Sequence, residues 1–281
     1  MQEKSVLITG ASTGIGEACA LYLAERGWRV FAGVRKQADG RRLQEISRSI
    51  TPIILDVTKP KQTARAIKAI RSEVGKDGLQ GLVNNAGIAV TGPLEFLPMD
   101  DMCRQMEVNF LALVALTQAC LPLLRIGRGR VVNISSVGGR IVAPFLVPYS
   151  ASKFALEAYT DGLRRELLPW KMHVASVQAG SIATPIWEKS FRDAELFRKA
   201  LPAQAEALYG VGMNHTLAWS QRSAARGIPA LAVARKVEHA LSARRPHTRY
   251  IVGRGTRLAI WFARHVPDEL LDWAMGRTLY R

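Results

Sequence analysis

Short apolar segments alternate with helical patterns along most of the chain, and this alternation restricts the fold more than any other feature. The apolar segments are continuous, which is the pattern of parallel strands buried on both faces of a sheet. Strands are predicted at residues 6–9, 29–34, 52–55, 81–84, 130–134, 173–177 and 250–252, and helices at 17–26, 63–74, 101–124 and 149–168. We therefore predict an α/β fold: one doubly wound Rossmann-type domain over residues 1–281, with a parallel sheet of about seven strands and helices on both faces.

The length and hydrophobicity of the chain suit a folded domain. It has 281 residues, 48% of them hydrophobic, which is ample for a buried core. No uninterrupted apolar run reaches the roughly 18 residues typical of a membrane-spanning helix, so we predict none. The N-terminal residues enter the first strand without an apolar signal segment, so export is not indicated and a cytoplasmic location is expected.

The cysteines and histidines give no sign of a disulfide framework or a metal site. Cys19, Cys103 and Cys120 are far apart and form no Cys-x-x-Cys motif, which is typical of thiols in a reducing compartment. The five histidines lack the spacing of metal ligands. We therefore predict no bound metal.

The net charge of +16 raises the question of nucleic-acid binding. The basic residues are dispersed, however, and their longest clusters are pairs such as Arg41-Arg42. Dispersed charge more often serves solubility or a general attraction for anions. No recognition motif accompanies the charge, so nucleic acid is not an expected partner.

Residues 9–16 read Thr-Gly-Ala-Ser-Thr-Gly-Ile-Gly and lie between the first predicted strand and the first helix. Glycines there permit a tight turn and a close approach to the backbone, and a helix N-terminus offers free amides to a pyrophosphate. The alternative is a plain glycine-rich turn. The placement between strand and helix favours nucleotide binding.

Tyr149 and Lys153 are four residues apart at the start of a predicted helix, so they project from one face. A free tyrosine has a pKa of about 10, and a nearby cation is expected to lower it. The pair is therefore a candidate for proton transfer near neutral pH. On spacing alone, a solvated helix face is the plainer interpretation.

Several motifs in order resemble the short-chain dehydrogenase/reductase family over roughly residues 4 to 190. The glycine segment has the family's TGxxxGxG form, residues 84–87 read Asn-Asn-Ala-Gly, and Tyr149 and Lys153 match its YxxxK motif. Residues 136–157 are further similar to the subgroup of 17-beta-hydroxysteroid and retinol dehydrogenases. Ala179 stands where the family usually has proline, which makes that loop less rigid.

The resemblance implies a catalytic set of Asn109, Ser136, Tyr149 and Lys153. Ser136 precedes Tyr149 by thirteen residues, the separation that the family leads us to expect, and Ser135 is the competing choice. Tyr149 would donate the proton, Ser136 would bind the substrate oxygen, and Lys153 would stabilise the phenolate and contact the ribose. Asn109 would hold a water molecule that relays protons through Lys153. Its plainer role is packing or capping inside a helix.

The resemblance also implies a site for NADP(H). Val34 occupies the usual acidic position after the second strand, where a carboxylate would favour NAD, and Arg35 can bind a 2′-phosphate. A solvated loop is the plainer interpretation of Arg35 and Lys36. Asp56 matches an adenine contact and Thr184 a contact to the nicotinamide carboxamide. The complete predicted cofactor set is Gly10, Ser12, Thr13, Gly14, Ile15, Gly16, Arg35, Lys36, Asp56, Val57, Asn85, Ala86, Gly87, Tyr149, Lys153, Gly180, Ile182 and Thr184.

Two regions interrupt the alternation. Residues 185–228 form a long excursion that mixes aromatic and charged residues, which is typical of a cover over a binding site. About half of its aromatics are expected only to pack against the core. The tail at 244–281 has eight arginines against three acids, and Leu258, Trp261, Phe262 and His265 share one helical face. This face either packs on the core or a subunit, or contacts an anionic membrane surface.

These features predict an NADP(H)-dependent oxidoreductase that transfers a hydride between nicotinamide and a hydrophobic alcohol or ketone, steroid-, retinoid- or lipid-like. One alternative is a reductase of 3-oxoacyl groups on an acidic carrier protein. Another is a catalytically silent protein that senses NADP or acts as a scaffold. By resemblance, a homodimer or homotetramer is expected, with subunits paired through helices 101–124 and 149–168.

Overall fold

The structure, a computed structural model, describes the backbone of residues 4–280 and the side chains of residues 4–277. Its strands are β1 (Lys4–Thr9), β2 (Trp28–Val34), β3 (Ile50–Ile54), β4 (Gly81–Asn84), β5 (Arg130–Ser136), β6 (Val174–Ala179), β7 (Ile182–Ala183), β8 (Ile228–Pro229) and β9 (Arg249–Val252). Its α-helices are α1 (Gly14–Glu25), α2 (Gln37–Ile46), α3 (Pro60–Val74), α4 (Met99–Met106), α5 (Ala112–Ile126), α6 (Val147–Glu166), α7 (Ile186–Lys199), α8 (Ala203–Ala225), α9 (Leu231–Ser242), α10 (Thr256–His265) and α11 (Asp268–Tyr280).

Seven parallel strands form one sheet in the order β3-β2-β1-β4-β5-β6-β9, which confirms the predicted doubly wound Rossmann-type fold. After β3 the chain returns to place β4 beside β1. In open sheets of this kind, ligands bind where the strand order reverses, outside the carboxyl ends of the strands. The topology therefore places a crevice beyond Thr9 and Asn84, the last residues of β1 and β4.

Helices cover both faces of the sheet, and successive residues of a strand enter different cores. Val6 and Ile8 pack with α1 and α9, whereas Leu7 packs with α3 and α5 on the other face. All three side chains are fully buried. This explains why the strand segments read as continuously apolar.

The predicted helix at 101–124 is interrupted. The structure has α4, then a π-helical segment at Glu107–Leu111, then α5. A π-turn inserts an extra residue into the helical ladder and is frequent at functional sites. Helical periodicity does not reveal such an insertion, because both flanking helices keep the ordinary pattern.

The stretch Met99–Ile126 is long and apolar enough to cross a membrane, with a mean hydropathy of 1.6. The expectation of no such helix was therefore too simple, because a helix can qualify on average hydropathy without an uninterrupted apolar run. In this fold, however, Leu113, Leu116 and Cys120 are completely buried inside the protein. One side of the stretch therefore packs inside the protein, and 44% of its apolar window is buried.

The excursion at 185–228 is closed at its base. Ile182 pairs with Ile228, and Ala183 pairs with Pro229, in the small parallel sheet of β7 and β8. The segment consists of α7 and α8, which leave the domain and return to it at one place. A short linker, β9 and the tail helices α10 and α11 follow α9.

Candidate active site

A cavity of about 2490 Å³ lies at the carboxyl ends of β1, β4, β5 and β6 and extends beneath α7 and α8. Pockets for single ligands usually have about 300–1,000 Å³, so this cavity has room for a large cofactor and a substrate together. Most of the predicted cofactor residues line it. Gly16, Lys36 and Asn109 do not line it.

The glycine segment is a tight turn whose shape excludes side chains. Gly10 and Gly14 have φ angles of +63° and +62°, which favour glycine. A Cβ added at Gly16 would stand 2.2 Å from the Gly10 oxygen. Gly16 is therefore required for the loop to fold closely onto the start of α1, and its contribution to a cofactor site is indirect.

Asn85 and Thr9 brace this turn from the neighbouring strands. The Asn85 Nδ2 donates to the carbonyl oxygens of Thr9 at 2.9 Å and of Gly10 at 3.1 Å. The Thr9 hydroxyl accepts from the Asn85 and Ala86 amides, both at 2.9 Å. The side chain of Asn85 is thus occupied by the loop, and Asn85 supports the cofactor site through the shape of that loop.

The N-terminus of α1 opens toward the cavity. Thr13 precedes the helix in an extended conformation, and no side chain caps the helix there. The first amides of a helix have no partner inside it and carry partial positive charge. Ser12, Thr13, Gly14 and Ile15 line the cavity at this point. The donors and the glycine cradle fit the pyrophosphate of a dinucleotide.

The end of β2 presents Arg35 to the same cavity. Arg35 is exposed and lines the cavity, whereas Val34 is buried in the core with 1% exposure. Lys36 directly precedes α2 and lies outside the cavity lining. Arg42 of α2, which sequence analysis did not single out, donates to the Ser12 oxygen at 2.8 Å and pairs with Glu17. Arg35 therefore brings a positive charge to this end of the cavity, whereas Arg42 lies outside the lining and braces the glycine turn through Ser12.

Asp56 and Val57 follow β3 and line the cavity. The Asp56 Oδ1 accepts from the Thr58 amide at 3.0 Å and from the Thr58 hydroxyl at 2.7 Å. These bonds fix the direction of the carboxylate. A fixed carboxylate beside an apolar side chain suits an adenine ring and its amino group.

Asn109 lies in the π-turn and is fully buried. Its Oδ1 accepts from the Ile88 amide at 2.8 Å, and its Nδ2 donates to the Ile88 oxygen at 3.0 Å. The Nδ2 also lies 3.2 Å from the Ser152 hydroxyl. These bonds pin the chain directly after Gly87, which itself lines the cavity. The side chain therefore orients backbone, and within residues 4–277 its hydrogen-bond partners are Ile88 and Ser152 and do not include Lys153.

Ser136 and Tyr149 meet at the end of β5. The Ser136 Oγ accepts from the Gly138 amide at 3.0 Å and lies close enough to the Tyr149 phenol to act on the pKa of that phenol. A Cβ added at Gly138 would lie 3.1 Å from the Tyr149 ring, so the phenol packs directly on the turn that follows Ser136. The Ser135 hydroxyl is buried and has no hydrogen-bond partner within residues 4–277. The geometry therefore favours Ser136 over Ser135.

Lys153 lies behind the phenol, on the same face of α6. Its Nζ is 5.8 Å from the centre of the Tyr149 ring and donates to the Ile134 oxygen at 2.9 Å. The residue is 5% exposed. Burial lowers the pKa of Lys153 to about 8, and the negative charge of Glu157 opposes this effect.

The protein groups alone do not lower the pKa of Tyr149. Withdrawal of the phenol from water raises that pKa, and the hydrogen bond with Ser136 only partly opposes the rise. The expected lowering of the Tyr149 pKa is therefore wrong for the protein by itself, because burial of the phenol outweighs the effect of Ser136. A positively charged nicotinamide ring is the further cation that the proposed chemistry would bring to this phenol.

Gly180, Ile182 and Thr184 form the rim that faces the glycine loop. A Cβ at Gly14 would lie 3.1 Å from the Thr184 Cβ, so the two segments meet directly. A Cβ at Gly180 would lie 2.4 Å from the Thr256 hydroxyl at the start of α10. Ala179 is paired with Val252 in the sheet, so replacement of the family's usual proline leaves this strand end ordered.

The cover over the cavity is attached by aromatic contacts. Tyr209 of α8 packs edge-on against Phe96 and Phe145, with ring centres 6.0 and 6.2 Å apart, and its hydroxyl donates to Glu95 at 2.6 Å. Phe145 has a φ of +65°, rare for a phenylalanine, and the Gly92 amide donates to its oxygen at 2.9 Å. Trp187, Phe191, Phe197 and Trp219 line the cavity, whereas Leu208 faces solvent. The excursion therefore places apolar surface above Tyr149.

Comparison with known proteins gives consistent matches. The family model described as short chain dehydrogenase matches residues 4–195. The chain is 39% identical to retinol dehydrogenase 5 of Mus musculus, over 97% of this chain and 89% of that protein. It is 35% identical to human 17-beta-hydroxysteroid dehydrogenase type 2, over 99% of this chain and 74% of that protein. A solved structure of a short chain dehydrogenase from Burkholderia cenocepacia J2315 in complex with NADP matches at a TM-score of 0.74 and 26% identity, over 98% of each chain.

Proposed function

The chain belongs to the short-chain dehydrogenase/reductase family, and from this premise we propose that it transfers a hydride between NADP(H) and a hydrophobic alcohol or ketone. Membership confirms the resemblance to retinol and hydroxysteroid dehydrogenases that the motifs indicate. It also makes the protein an oxidoreductase. The observation that carries the proposal is the meeting of Ser136, Tyr149 and buried Lys153 beneath a large cavity with an aromatic cover.

NADP(H) is the cofactor that the site favours. Arg35 at the end of β2 can bind a 2′-phosphate with two hydrogen bonds, and buried Val34 offers no carboxylate to repel it. The matched Burkholderia protein was crystallised with NADP. When bound, the cofactor supplies the hydride chemistry. The residues of this chain orient the substrate and move the proton.

In the direction of reduction, Tyr149 gives its proton to the substrate oxygen as that oxygen gains negative charge. Ser136 donates a hydrogen bond to the same oxygen, for which its hydroxyl is already fixed by the Gly138 amide. Lys153 stabilises the phenolate that remains. Because burial raises the pKa of the resting phenol, Tyr149 holds its proton until a cation or the substrate oxygen draws it away.

A substrate panel tests the reaction, the substrate class and the cofactor together. Hydrophobic ketones and the matching alcohols are assayed with NADPH and with NADH, for wild type and Tyr149→Phe. We expect turnover with NADPH and a loss of about 10²–10⁴-fold in kcat for the variant, which keeps the ring but lacks the proton. Near-full turnover by Tyr149→Phe would contradict the mechanism. Cofactor binding without turnover on any carbonyl would instead indicate a protein that senses NADP. Turnover of carrier-bound 3-oxoacyl groups alone would indicate a carrier-protein reductase.

The tail supports a second proposal, contact with an anionic membrane surface. Leu258, Trp261, Phe262, Leu270 and Trp273 are each at least 44% exposed and form what we term the C-terminal apolar face. Exposed arginines flank this face, and Arg277 lies over the Trp273 ring at 4.5 Å. Tryptophan beside arginine is typical of helices at a lipid interface. Ala259 and Met275 of the same helices line the cavity, so the face adjoins the substrate site.

Flotation with phosphatidylserine vesicles tests the membrane contact. We expect binding that is lost in the double variant Trp261→Gln, Trp273→Gln, and retained in Trp170→Gln. Trp170 is a matched control because it is 50% exposed beside Arg125 but lies outside the tail. Equal flotation of both variants would refute the role of the tail.

We also propose that α5 and α6 pair two copies of the chain. Leu111, the last residue of the π-helical segment before α5, and Phe154 of α6 are 51% and 42% exposed on adjacent helical surfaces. Light scattering on a sizing column is expected to give a dimer or tetramer for wild type and a smaller species for Phe154→Lys. Ile46→Lys, at an exposed position of α2, is the control. A wild-type monomer would refute the pairing.

A further inference from the structure

Glu157 is a buried carboxylate one helical turn beyond Lys153 and two turns beyond Tyr149, on the same face of α6. It is 3% exposed. Four side chains donate to it: Arg140 at 2.9 Å, Gln178 at 2.8 Å, Arg249 at 3.1 Å and the Ser176 hydroxyl. None of these residues belongs to the proposed catalytic set. Two of these donors, Arg140 and Arg249, are cations that pair with the carboxylate.

The donors connect Glu157 to the segment that carries Ser136. The turn Val137–Gly139 directly follows Ser136, and Arg140 directly follows this turn. A Cβ at Gly139 would lie 3.1 Å from the Glu157 Cγ and 3.0 Å from the Lys153 oxygen. The turn therefore rests on α6 at Glu157, and the Arg140 pair holds it there.

We propose that Glu157 is a positioning residue of the active site, which fixes the turn after Ser136 through Arg140 and places its carboxylate one helical turn from the Lys153 ammonium. This inference rests on the proposed function. It gives a role to a residue that touches neither substrate nor cofactor.

The surroundings determine the sign of each electrostatic effect. Lys153 faces the Tyr149 ring, the Ile134 oxygen and the charge of Glu157. Glu157 in turn faces two cations, Arg140 from the turn and Arg249 from β9. Neutralising Glu157 removes the charge that supports the ammonium, so the pKa of Lys153 must fall further. Neutralising Arg140 leaves Glu157 less compensated, so the pKa of Lys153 must rise.

A purely structural role is the competing explanation, since the cluster joins α6 to β6 and β9. Asp161, one turn further along α6, provides the matched control. It accepts from Arg249 through its Oδ2 at 2.6 Å and from Arg164 through its Oδ1 at 3.0 Å. If the cluster only holds α6 against β6 and β9, neutralising Asp161 and neutralising Glu157 should have the same effect on the pH profile of kcat.

The first experiment compares Glu157→Gln, Arg140→Gln and Asp161→Asn with wild type in the pH profile of kcat for NADPH-dependent reduction. We expect the basic limb to move to lower pH by about one unit in Glu157→Gln, to higher pH in Arg140→Gln, and not at all in Asp161→Asn. Movement in the same direction for Glu157→Gln and Arg140→Gln would overturn the inference. The inference would also be overturned if the three variants lost activity only in proportion to their loss of stability, with no change in the pH profile.

A second readout needs no turnover. Urea unfolding between pH 7 and 10.5 reports the release of the Lys153 proton, because the free energy of unfolding begins to rise with pH where the folded protein loses that proton. The pH at which this rise begins should be lower than in wild type for Glu157→Gln and higher for Arg140→Gln. A shift without any carbonyl turnover would refute the proposed function and retain the link between Glu157 and Lys153. Turnover without a shift would refute that link alone. If Glu157→Gln does not fold, an upward shift in Arg140→Gln supports the inference, and the absence of one refutes it.

Discussion

Replacing Lys153 by methionine should make the protein more stable and inactive at once. Lys153 is 5% exposed, and burial lowers its pKa from 10.5 to about 8. At about 1.4 kcal/mol per unit, this lowering means that the buried ammonium costs about 3 kcal/mol at neutral pH. Methionine has a similar length and no charge. The variant also lacks the hydrogen bond to the Ile134 oxygen, and this loss destabilises it by about 1 kcal/mol.

The sign of the pH dependence follows from linkage. Below about pH 8, Lys153 carries its proton in the folded and the unfolded chain, so the full cost applies. Between about pH 8 and 10.5 the unfolded chain binds more protons than the folded one, so the stability of wild type rises with pH. Methionine lacks this titration. The advantage of Lys153→Met should therefore be greatest at pH 7 and disappear toward pH 10.5.

Urea unfolding of both proteins across this pH range, without cofactor, measures the difference. We expect Lys153→Met to be about 2 kcal/mol more stable at pH 7, after the lost hydrogen bond is counted. Lys236→Met is the control, because it removes the same charge from an exposed site on α9. A Lys153→Met protein that is less stable than wild type at pH 7, or whose advantage does not narrow with pH, would refute the reasoning.

Three further outcomes test separate parts of the site. Arg35→Ser should raise the KM for NADPH by about 10–100-fold, because one charged contact is worth about 1.5–3 kcal/mol. The KM for NADH should not change. Equal effects on both cofactors would exclude a contact between Arg35 and the 2′-phosphate. Gly16→Ala should weaken NADPH binding and lower the Tm, since its Cβ would meet the Gly10 oxygen at 2.2 Å, whereas Gly162→Ala, with open space around it, should not. Fluorescence titration and thermal scans measure both, and unchanged binding in Gly16→Ala would contradict the close fit. Tyr209→Ala should raise the KM for bulky substrates more than it changes kcat, because it releases the cover from Phe145. Steady-state kinetics with small and bulky ketones measure this effect. An equal change in KM for both kinds of ketone would show that the cover has no role.

Much of the fold follows from local pattern. The strands were predicted within a few residues of their observed ends, because a strand buried on both faces must be apolar throughout. The helix α2 was missed, since its residues are mostly polar and exposed. The break between α4 and α5 was missed because an inserted π-turn leaves the flanking periodicity intact.

The candidate site divides in the same way. The motifs predicted which side chains would gather, since parallel strands bring their carboxyl ends to one edge of the sheet. Lys36 was included because it follows Arg35 in the chain, yet it lies outside the cavity lining. Arg42 and Glu157 were overlooked because their partners are distant in sequence, and no local signal marks either contact.

By itself, the sequence determined the order of the elements, the glycine turn and the placement of Tyr149 and Lys153 on one helical face. These are consequences of local geometry, which neighbouring residues set. Only the tertiary structure decided how those groups behave: that burial raises the pKa of Tyr149, that burial lowers the pKa of Lys153, and that Asn109 holds backbone at Ile88. The physical reason is that desolvation and charge coupling depend on which elements pack together, and spacing along the chain does not contain that information.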